Sequence, residues 1–297
     1  MSSPATTIGT IAEDRPVGLW TDAFRRMRRS PAAIIGGTII LFFVIVAVFA
    51  PFIATHDPTR GNLADSYLPP FTGDHFFGTN VQGQDVFSRI VFGSRLTLGI
   101  AVLSVTIGVS IGTFFGALAG YFRGWVDSVI MRGVDIMLSI PGLLFAIAVV
   151  TFLGKGVVQI AVAIAILNVP IFARLLRATL LSVREADYVT AARSVGVRGP
   201  TLLIRHMLPN AIGPLIVQGT LALATAVVDA AALGFLGLGP PDPRTPEWGM
   251  MLSDTYRYLN QAIYLALFPG IAIVLSVLGF NLLGDGMREA LDPKLRR

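Results

Sequence analysis

The stretch EADYVTAARSVGVRGPTLLIRHMLPN, residues 185–210, is a compact charged unit within a chain that is otherwise strongly apolar. Gly196 is the residue type that commonly ends a helix, and Pro200 suits the first turn of a second helix. We therefore expect two short helices, the second of which ends at Pro209. The first half has apolar residues at positions i, i+3, i+4 and i+7, a spacing that predicts one helix face: Tyr188, Ala191, Ala192 and Val195.

The predicted face of the first helix is small, because two alanines lie between Tyr188 and Val195. A small face allows another protein to approach closely, as when a short helix lies in a groove. The alternative is an amphipathic helix that lies on the membrane surface. Bulky Leu, Phe or Trp side chains would favour lipid, and the first half of the stretch has none. The residues therefore favour docking of a partner protein.

The rest of the chain has the composition of a membrane protein. Of its 297 residues, 54% are hydrophobic and only 14% are charged, whereas soluble domains carry about 25% charged residues. Several uncharged runs are close to the roughly 20 residues that a helix needs to cross the hydrocarbon core. We therefore predict an all-α membrane protein with six transmembrane helices, at 32–54, 96–122, 136–153, 157–173, 211–238 and 262–283.

The distribution of basic residues predicts the orientation of these helices. Most of the 23 lysines and arginines fall on one side of the membrane if the N-terminus is cytoplasmic, as the positive-inside rule requires. We expect a multi-pass membrane protein with both termini in the cytoplasm. Its predicted parts are a cytoplasmic N-terminal segment (1–31), a first transmembrane helix with an extracytoplasmic loop (32–95), a core transmembrane domain (96–285) that contains the loop 183–209, and a cytoplasmic tail (286–297).

Small residues recur at every fourth position of the second predicted span. In lipid, such spacing lets two helix backbones approach closely. The spacing predicts a helix-packing seam and leaves open whether the two helices also slide along it. Its residues are Gly108, Gly112, Gly116 and Gly120.

Asp229 is the only ionisable residue deep within an apolar run. A charge inside the membrane is costly, so such a residue is a candidate for function. Two roles are open: structural pairing with a polar neighbour, and contact with a transport pathway. Two prolines, Pro141 and Pro170, interrupt predicted spans and are expected to kink them.

The two longest predicted connections outside the cytoplasm are 56–95 and 239–261, which we call the outer loops. Most of the residues considered next lie in them. Asp85 and Arg89 are four residues apart and are expected to form a local pair. Trp248 is interpreted as a membrane-interface anchor. The chain has no cysteine, and its three histidines, His56, His75 and His206, have no metal-like spacing. We therefore predict no metal site.

No catalytic motif is present in the sequence. The pattern GxxxxGK[ST], whose backbone cradles nucleotide phosphates, is absent, and GKG at 154–156 lacks both its spacing and its hydroxyl residue. The chain is therefore not expected to hydrolyse ATP.

TAARSVG, followed further along by HMLP, resembles the EAA loop of bacterial ABC importer permeases. Five residues match the family pattern: Ala191, Ala192, Gly196, Leu208 and Pro209. Thr190 stands where the family has Glu, and His206 stands where it often has Ile. The resemblance implies that an ATPase docks on this loop, through Glu185, Tyr188, Thr190, Ala191, Ala192, Arg193, Gly196, His206, Leu208 and Pro209.

Other segments resemble the C-type permease of dipeptide and oligopeptide importers, and the resemblance covers about residues 25–297. They include GYFRGWVDSVIMRGVDIMLSIPGLL, LGFLGLGPPDPRTPEWGMML and PGIAIVLSVLGFNLLGDGMREALDPKLR. The resemblance implies a type I importer fold and binding-protein-dependent peptide transport. It also implies a homologous B-type permease, two ATPase subunits of one or two kinds, and an extracytoplasmic peptide-binding protein. ATP and Mg²⁺ would be bound by the ATPases, and no cofactor by this chain.

Two alternatives of other classes remain open from the residues alone. A proton-coupled secondary transporter would use buried ionisable residues near the membrane midplane, for which only Asp229 is available. A scaffold or receptor subunit without a pore would need no docking loop.

Overall fold

The computed structural model describes residues 24–291, and within that range the regular structure is helical. Five helices are long and apolar enough to cross a membrane, or six if one bent pair counts as a span. This confirms the predicted all-α membrane class. In chain order the helices are α1 (Pro31–Val48), α2 (Ala50–Ile53), α3 (Val86–Phe122), α4 (Gly124–Ser139), α5 (Gly142–Leu153), α6 (Val157–Arg184), α7 (Asp187–Ser194), α8 (Gly199–Thr201), α9 (Leu208–Leu233), α10 (Trp248–Thr255) and α11 (Tyr264–Leu291).

The third span is not the single helix predicted over 136–153. Its two parts, α4 and α5, meet at an angle of 95°. Pro141 lies at the break, and the preceding Ile140 is extended, with φ −91° and ψ 132°. Proline disfavours helical geometry in the residue before it and supplies no N–H for a helical hydrogen bond. The chain therefore turns here instead of kinking slightly.

The prediction that Pro209 ends a short helix is wrong. A π-helical turn, Leu202–Met207, leads directly into α9, and Pro209 lies in the first turn of α9. Proline is tolerated there because the first N–H groups of a helix have no intrahelical partner. The segment Gly199–Leu238 is consequently one helical element of 40 residues.

Helices α3 and α6 pack along the glycines of α3. Gly112 lies against the Val169 carbonyl, and a Cβ at Gly116 would lie 2.6 Å from the carbonyl oxygen of Ala173. No side chain fits at that distance, so the two backbones are in direct contact. The same kind of contact joins α1 to α11, where Gly286 lies against Ala33.

The outer loops pack on each other around Arg89, whose side chain is buried. Its Nη1 atom donates to the carbonyl oxygens of Pro58 (3.1 Å) and Arg244 (3.0 Å) and to Oε1 of Gln84 (2.6 Å). The expected Asp85–Arg89 pair is therefore wrong. A buried guanidinium needs several acceptors, and carbonyl groups from both loops supply them to Nη1, whereas Nη2 is buried without a hydrogen-bond partner among the described residues.

Trp248 is also not the interface anchor that the sequence suggested. Its side chain is fully buried, and its Nε1 donates to the Ile90 carbonyl at 3.0 Å. The ring lies against Gly93, where any side chain would collide with it. The preceding Glu247 caps α10, accepting from the N–H groups of Gly249 (3.0 Å) and Met250 (2.9 Å). Burial raises the pKa of the Glu247 carboxyl, and these hydrogen bonds oppose that shift.

Gly116→Ala is expected to destabilise the protein by about 1–3 kcal/mol, because the added methyl group must push α3 and α6 apart. Gly133→Ala in α4 is the matched control, since nothing lies within 4 Å of a Cβ there. The control should be neutral or stabilising by up to about 1 kcal/mol, because alanine favours the helix. Thermal unfolding of the purified protein in detergent measures both. Equal shifts for the two variants would contradict the described contact.

Candidate functional site

The coupling unit, residues 185–209, joins two long helices through the short helix α7. Asp187 lies in the first turn of α7 and Arg193 in its last turn, the arrangement that the helix dipole favours. Gly196 follows with φ +82°, and its N–H donates to the Arg193 carbonyl at 2.9 Å. A left-handed glycine of this kind satisfies the last carbonyl groups of a helix. The local sequence therefore fixes both ends of α7.

Helix α7 and Val195, the residue that follows it, present an uncharged strip to solvent. Val195 is 81% exposed and Tyr188 is 44% exposed, and Ala191 between them is exposed as well. Desolvation raises the pKa of the Tyr188 hydroxyl above its ordinary value, so Tyr188 stays neutral at physiological pH. We call Tyr188, Ala191 and Val195 the docking strip.

The opposite face of α7 holds the helix on the bundle. Val189 is fully buried, and Ala192, predicted to share the docking face, is instead partly buried and packs against the core. Sequence reasoning missed Val189, although its spacing of three residues from Ala192 is a helical one. The buried pair explains how so short a helix keeps one orientation.

The remaining residues predicted to couple lie at several depths. Glu185, Thr190, Arg193 and Pro209 are exposed, whereas His206 and Leu208 are half-buried. Leu202 and Met207, which the sequence did not single out, are buried and hold the π-helical turn on the core. The coupling unit therefore has an exposed side formed by α7 and a buried side formed largely by the π-helical turn.

Helix α6 connects the coupling unit to the centre of the bundle. It runs unbroken from Val157 to Arg184 and contacts both α3 and α7. Two ion pairs link it to α4: Arg177 Nη2 lies 2.6 Å from Asp127 Oδ2, and Arg174 Nη2 lies 2.6 Å from Asp135 Oδ1. A displacement of α7 would therefore reach α4 through α6.

A cavity of about 610 Å³ lies where α4, α5, α6 and α9 meet. Pro141 and Pro170 both line it, so the two prolines interpreted as kinks bound one space. Asp229 and Thr225 line it from α9. Among residues 24–291, Asp229 has neither a hydrogen bond nor an ion pair, which is an unusual state for an acid at this depth. Asn168 also lines the cavity but donates to the Ile164 carbonyl at 2.9 Å.

Comparison with known sequences identifies the family. Residues 112–297 match the binding-protein-dependent transport system inner membrane component, and residues 18–70 match the N-terminal TM domain of oligopeptide transport permease C. The chain belongs to the binding-protein-dependent transport permeases. A dipeptide transport system permease protein of Alkalihalophilus pseudofirmus is 44% identical over 280 residues, covering 94% of this chain and 91% of the relative. A glutathione transport system permease protein of Pectobacterium atrosepticum is 40% identical over 277 residues, covering 93% and 92%.

Solved structures agree on the fold. The inward-facing methionine ABC transporter MetNI superposes with a TM-score of 0.60 at 21% identity, covering 69% of this chain and 97% of that chain. An amino acid ABC transporter superposes with a TM-score of 0.54 at 17% identity, covering 68% and 94%. These likenesses confirm the predicted type I importer permease fold.

The permease is thus a multi-pass inner membrane subunit of an ABC importer. It is not an enzyme, because ATPase activity in this family lies in separate subunits. The family implies a partner permease, ATPases and a substrate-binding protein. The alternative of a proton-coupled secondary transporter is wrong, since both the homologues and the structural neighbours are ABC permeases.

Val189→Ala should loosen α7 from the bundle, because it removes the fully buried side chain that holds the helix. If the free energy of local opening of α7 falls by about 1.4 kcal/mol, the fraction of molecules with α7 open rises about tenfold. Trypsin cleavage after Arg193 and Arg198 should then be about tenfold faster. Val195→Ala, at the exposed residue that follows α7, is the control and should be cleaved at the rate of the unmodified protein. Equal rates for both variants would show that Val189 does not anchor α7.

Proposed function

We propose that this permease forms half of a peptide translocation pathway with a homologous B-type permease. The other half would supply the facing wall of the cavity that this chain leaves open. Two ATPase subunits, alike or different, would bind ATP and Mg²⁺ and dock on the coupling unit. An extracytoplasmic binding protein would deliver the peptide. Both termini of the chain would then be cytoplasmic, in agreement with the distribution of its basic residues.

The observation that carries this proposal is the two-sided character of α7. Its docking strip is exposed, small and uncharged, while Val189 and Ala192 fix it to the bundle. Since α7 lies between α6 and the helical element Gly199–Leu238, a partner that shifts it must move one or both long helices. Small displacements at a packed interface can become rigid-body rocking of this kind. We infer that nucleotide-driven closure of the ATPases changes access to the cavity by this route.

The cargo proposed for the importer is a short peptide. Relatives covering more than nine-tenths of this chain carry names for dipeptide and glutathione transport. Asp229 faces the cavity without a partner and would attract the amino group of such a peptide. The other side chains of the cavity wall are neutral, so they would contact the cargo without selecting its sequence. Selection would then fall to the binding protein.

Ala191→Trp should abolish ATP-dependent peptide uptake, because a large side chain in the docking strip blocks close approach of the ATPase. The importer reconstituted in proteoliposomes with its ATPases and binding protein provides the measurement. Ala191→Ser keeps the side chain small and is expected to retain uptake within about twofold. Uptake by Ala191→Trp equal to that of the unmodified importer, or uptake driven by a proton gradient without ATP, would refute the mechanism.

Asp229→Asn should lower peptide uptake about tenfold, the effect of losing a charge contact worth about 1.4 kcal/mol. ATP hydrolysis and ATPase co-purification should not change, because the coupling unit is intact. Asp285→Asn, which neutralises an exposed acid of α11, is the control and should transport normally. If Asp229→Asn transports as well as the control, Asp229 has no part in the pathway.

A further inference from the structure

Three residues that are distant in the sequence meet beside the start of α3. His75 Nδ1 lies 2.9 Å from Asp85 Oδ1, and His56 Nδ1 lies 4.0 Å from the same oxygen. The two imidazole rings stack with their centroids 4.5 Å apart and their planes at 29°. One donor atom from each residue lies within 4.8 Å of the other two. Spacing along the chain gave no sign of this cluster, because the outer loop that contains His75 has to fold back to form it.

We propose that His56, His75 and Asp85 bind a divalent transition metal ion, with Zn²⁺ as the preferred ion. Two imidazole nitrogens and one carboxylate oxygen are a donor set typical of Zn²⁺, and three protein ligands leave a fourth position for water. Donor atoms about 2.0–2.1 Å from a tetrahedral ion lie about 3.3 Å apart. The observed separations of 2.9 and 4.0 Å lie on either side of that value. Small side-chain rotations therefore bring the donors into place.

The carboxylate is held ready for this role by its neighbours. The Asp85 side chain is fully buried, and its Oδ2 accepts from the Ser88 N–H at 2.7 Å, which leaves Oδ1 for the histidines. Thr55 Oγ1 lies 3.4 Å from Asp85 Oδ2 and 2.9 Å from His56 Nδ1. Neighbours of this kind orient metal ligands and fix their donor atoms. Metal binding would replace only the His56–Thr55 and His75–Asp85 hydrogen bonds.

A metal ion can reach the cluster from solvent. The side chains of His56 and His75 are 36% and 17% exposed. His56 and Thr55 also line a surface cavity of about 770 Å³. Of the charged residues in that cavity wall, Asp57 is paired with Arg60 at 3.3 Å. Arg95 adds a positive charge to the cavity wall. The three proposed ligands together carry one negative charge, that of Asp85, when both histidines are neutral.

The ion would join three parts of the fold. All three belong to the first outer loop: His56 lies at its start shortly after α2, His75 lies near its middle, and Asp85 is the residue that precedes α3. An ion bound to all three stabilises the folded state, because the unfolded chain offers no such arrangement. A metal ion binds only the unprotonated nitrogen of an imidazole, so metal affinity should fall as the pH is lowered.

The test is Zn²⁺ titration of the full-length permease, purified in nanodiscs with its co-purifying subunits and without a polyhistidine tag. After chelator treatment, the titrated unmodified permease should bind one more zinc ion per chain than His56→Phe does. Zinc should also raise the unfolding temperature of the unmodified permease. His56→Phe keeps a flat ring against His75 but removes the donor atom, and it should weaken binding at least tenfold. His206→Ala removes the third histidine of the chain and should bind as the unmodified protein does.

Several outcomes would overturn the site. If zinc does not raise the unfolding temperature of the unmodified protein, the site is refuted, and no variant is needed for that conclusion. Equal zinc content in the unmodified protein and in His56→Phe would show that the metal binds adventitiously elsewhere. An affinity that does not fall between pH 7.5 and pH 5.5 would also refute histidine ligation. None of these measurements depends on peptide transport, so they separate the metal site from the proposed function.

Discussion

The contact between the backbones of α3 and α6 is the constraint on which the rest of the structure depends. In lipid there is no hydrophobic gain from bringing two apolar helices together, so association relies on close packing. The glycines of α3 contribute no side chain to the contact, and the buried Phe172, Leu176 and Leu180 of α6 close around them. This central pair positions α4 through the ion pairs of α6, and with it the wall of the cavity.

The end of the bundle that carries the outer loops is stabilised by a different kind of interaction. Arg89, Glu247 and Trp248 are all buried there, and each has hydrogen bonds to groups distant in the sequence. Buried polar groups are costly unless they are paired, so these contacts allow few alternative arrangements of the loops. The histidine cluster lies beside the same region. The outer loops are consequently an ordered part of the fold.

The coupling unit and the cavity lie on the same two long helices. Helix α6 extends from the coupling unit to Pro170 at the cavity, and the element Gly199–Leu238 extends from the coupling unit to Asp229. A rigid helix carries a displacement along its whole length, whereas a loop would absorb it. The break between α4 and α5 supplies the bend that leaves the cavity open. In the proposed mechanism, this shared framework would carry a displacement of the coupling unit by the ATPases to the cavity.

Local patterns in the sequence were sufficient for the helical class, the approximate spans, the glycine seam, and the Gly196 stop of α7. Each of these depends on residues that are close in the chain: an apolar run, a spacing of four, or a glycine after a helix. Comparison with known sequences then supplied the family, because the similarity extends over more than nine-tenths of the chain.

Tertiary structure decided the features that depend on contacts between distant segments. The bend at Pro141 became 95° because α5 packs on α6. Trp248 became a core residue because Gly93 leaves room for its ring, and Arg89 is paired with carbonyl groups rather than with Asp85. Ala192 turned inward beside Val189, and His56 met His75. A sequence states which side chains are available and how they repeat, whereas burial and pairing are settled only when segments far apart in the chain compete for the same space.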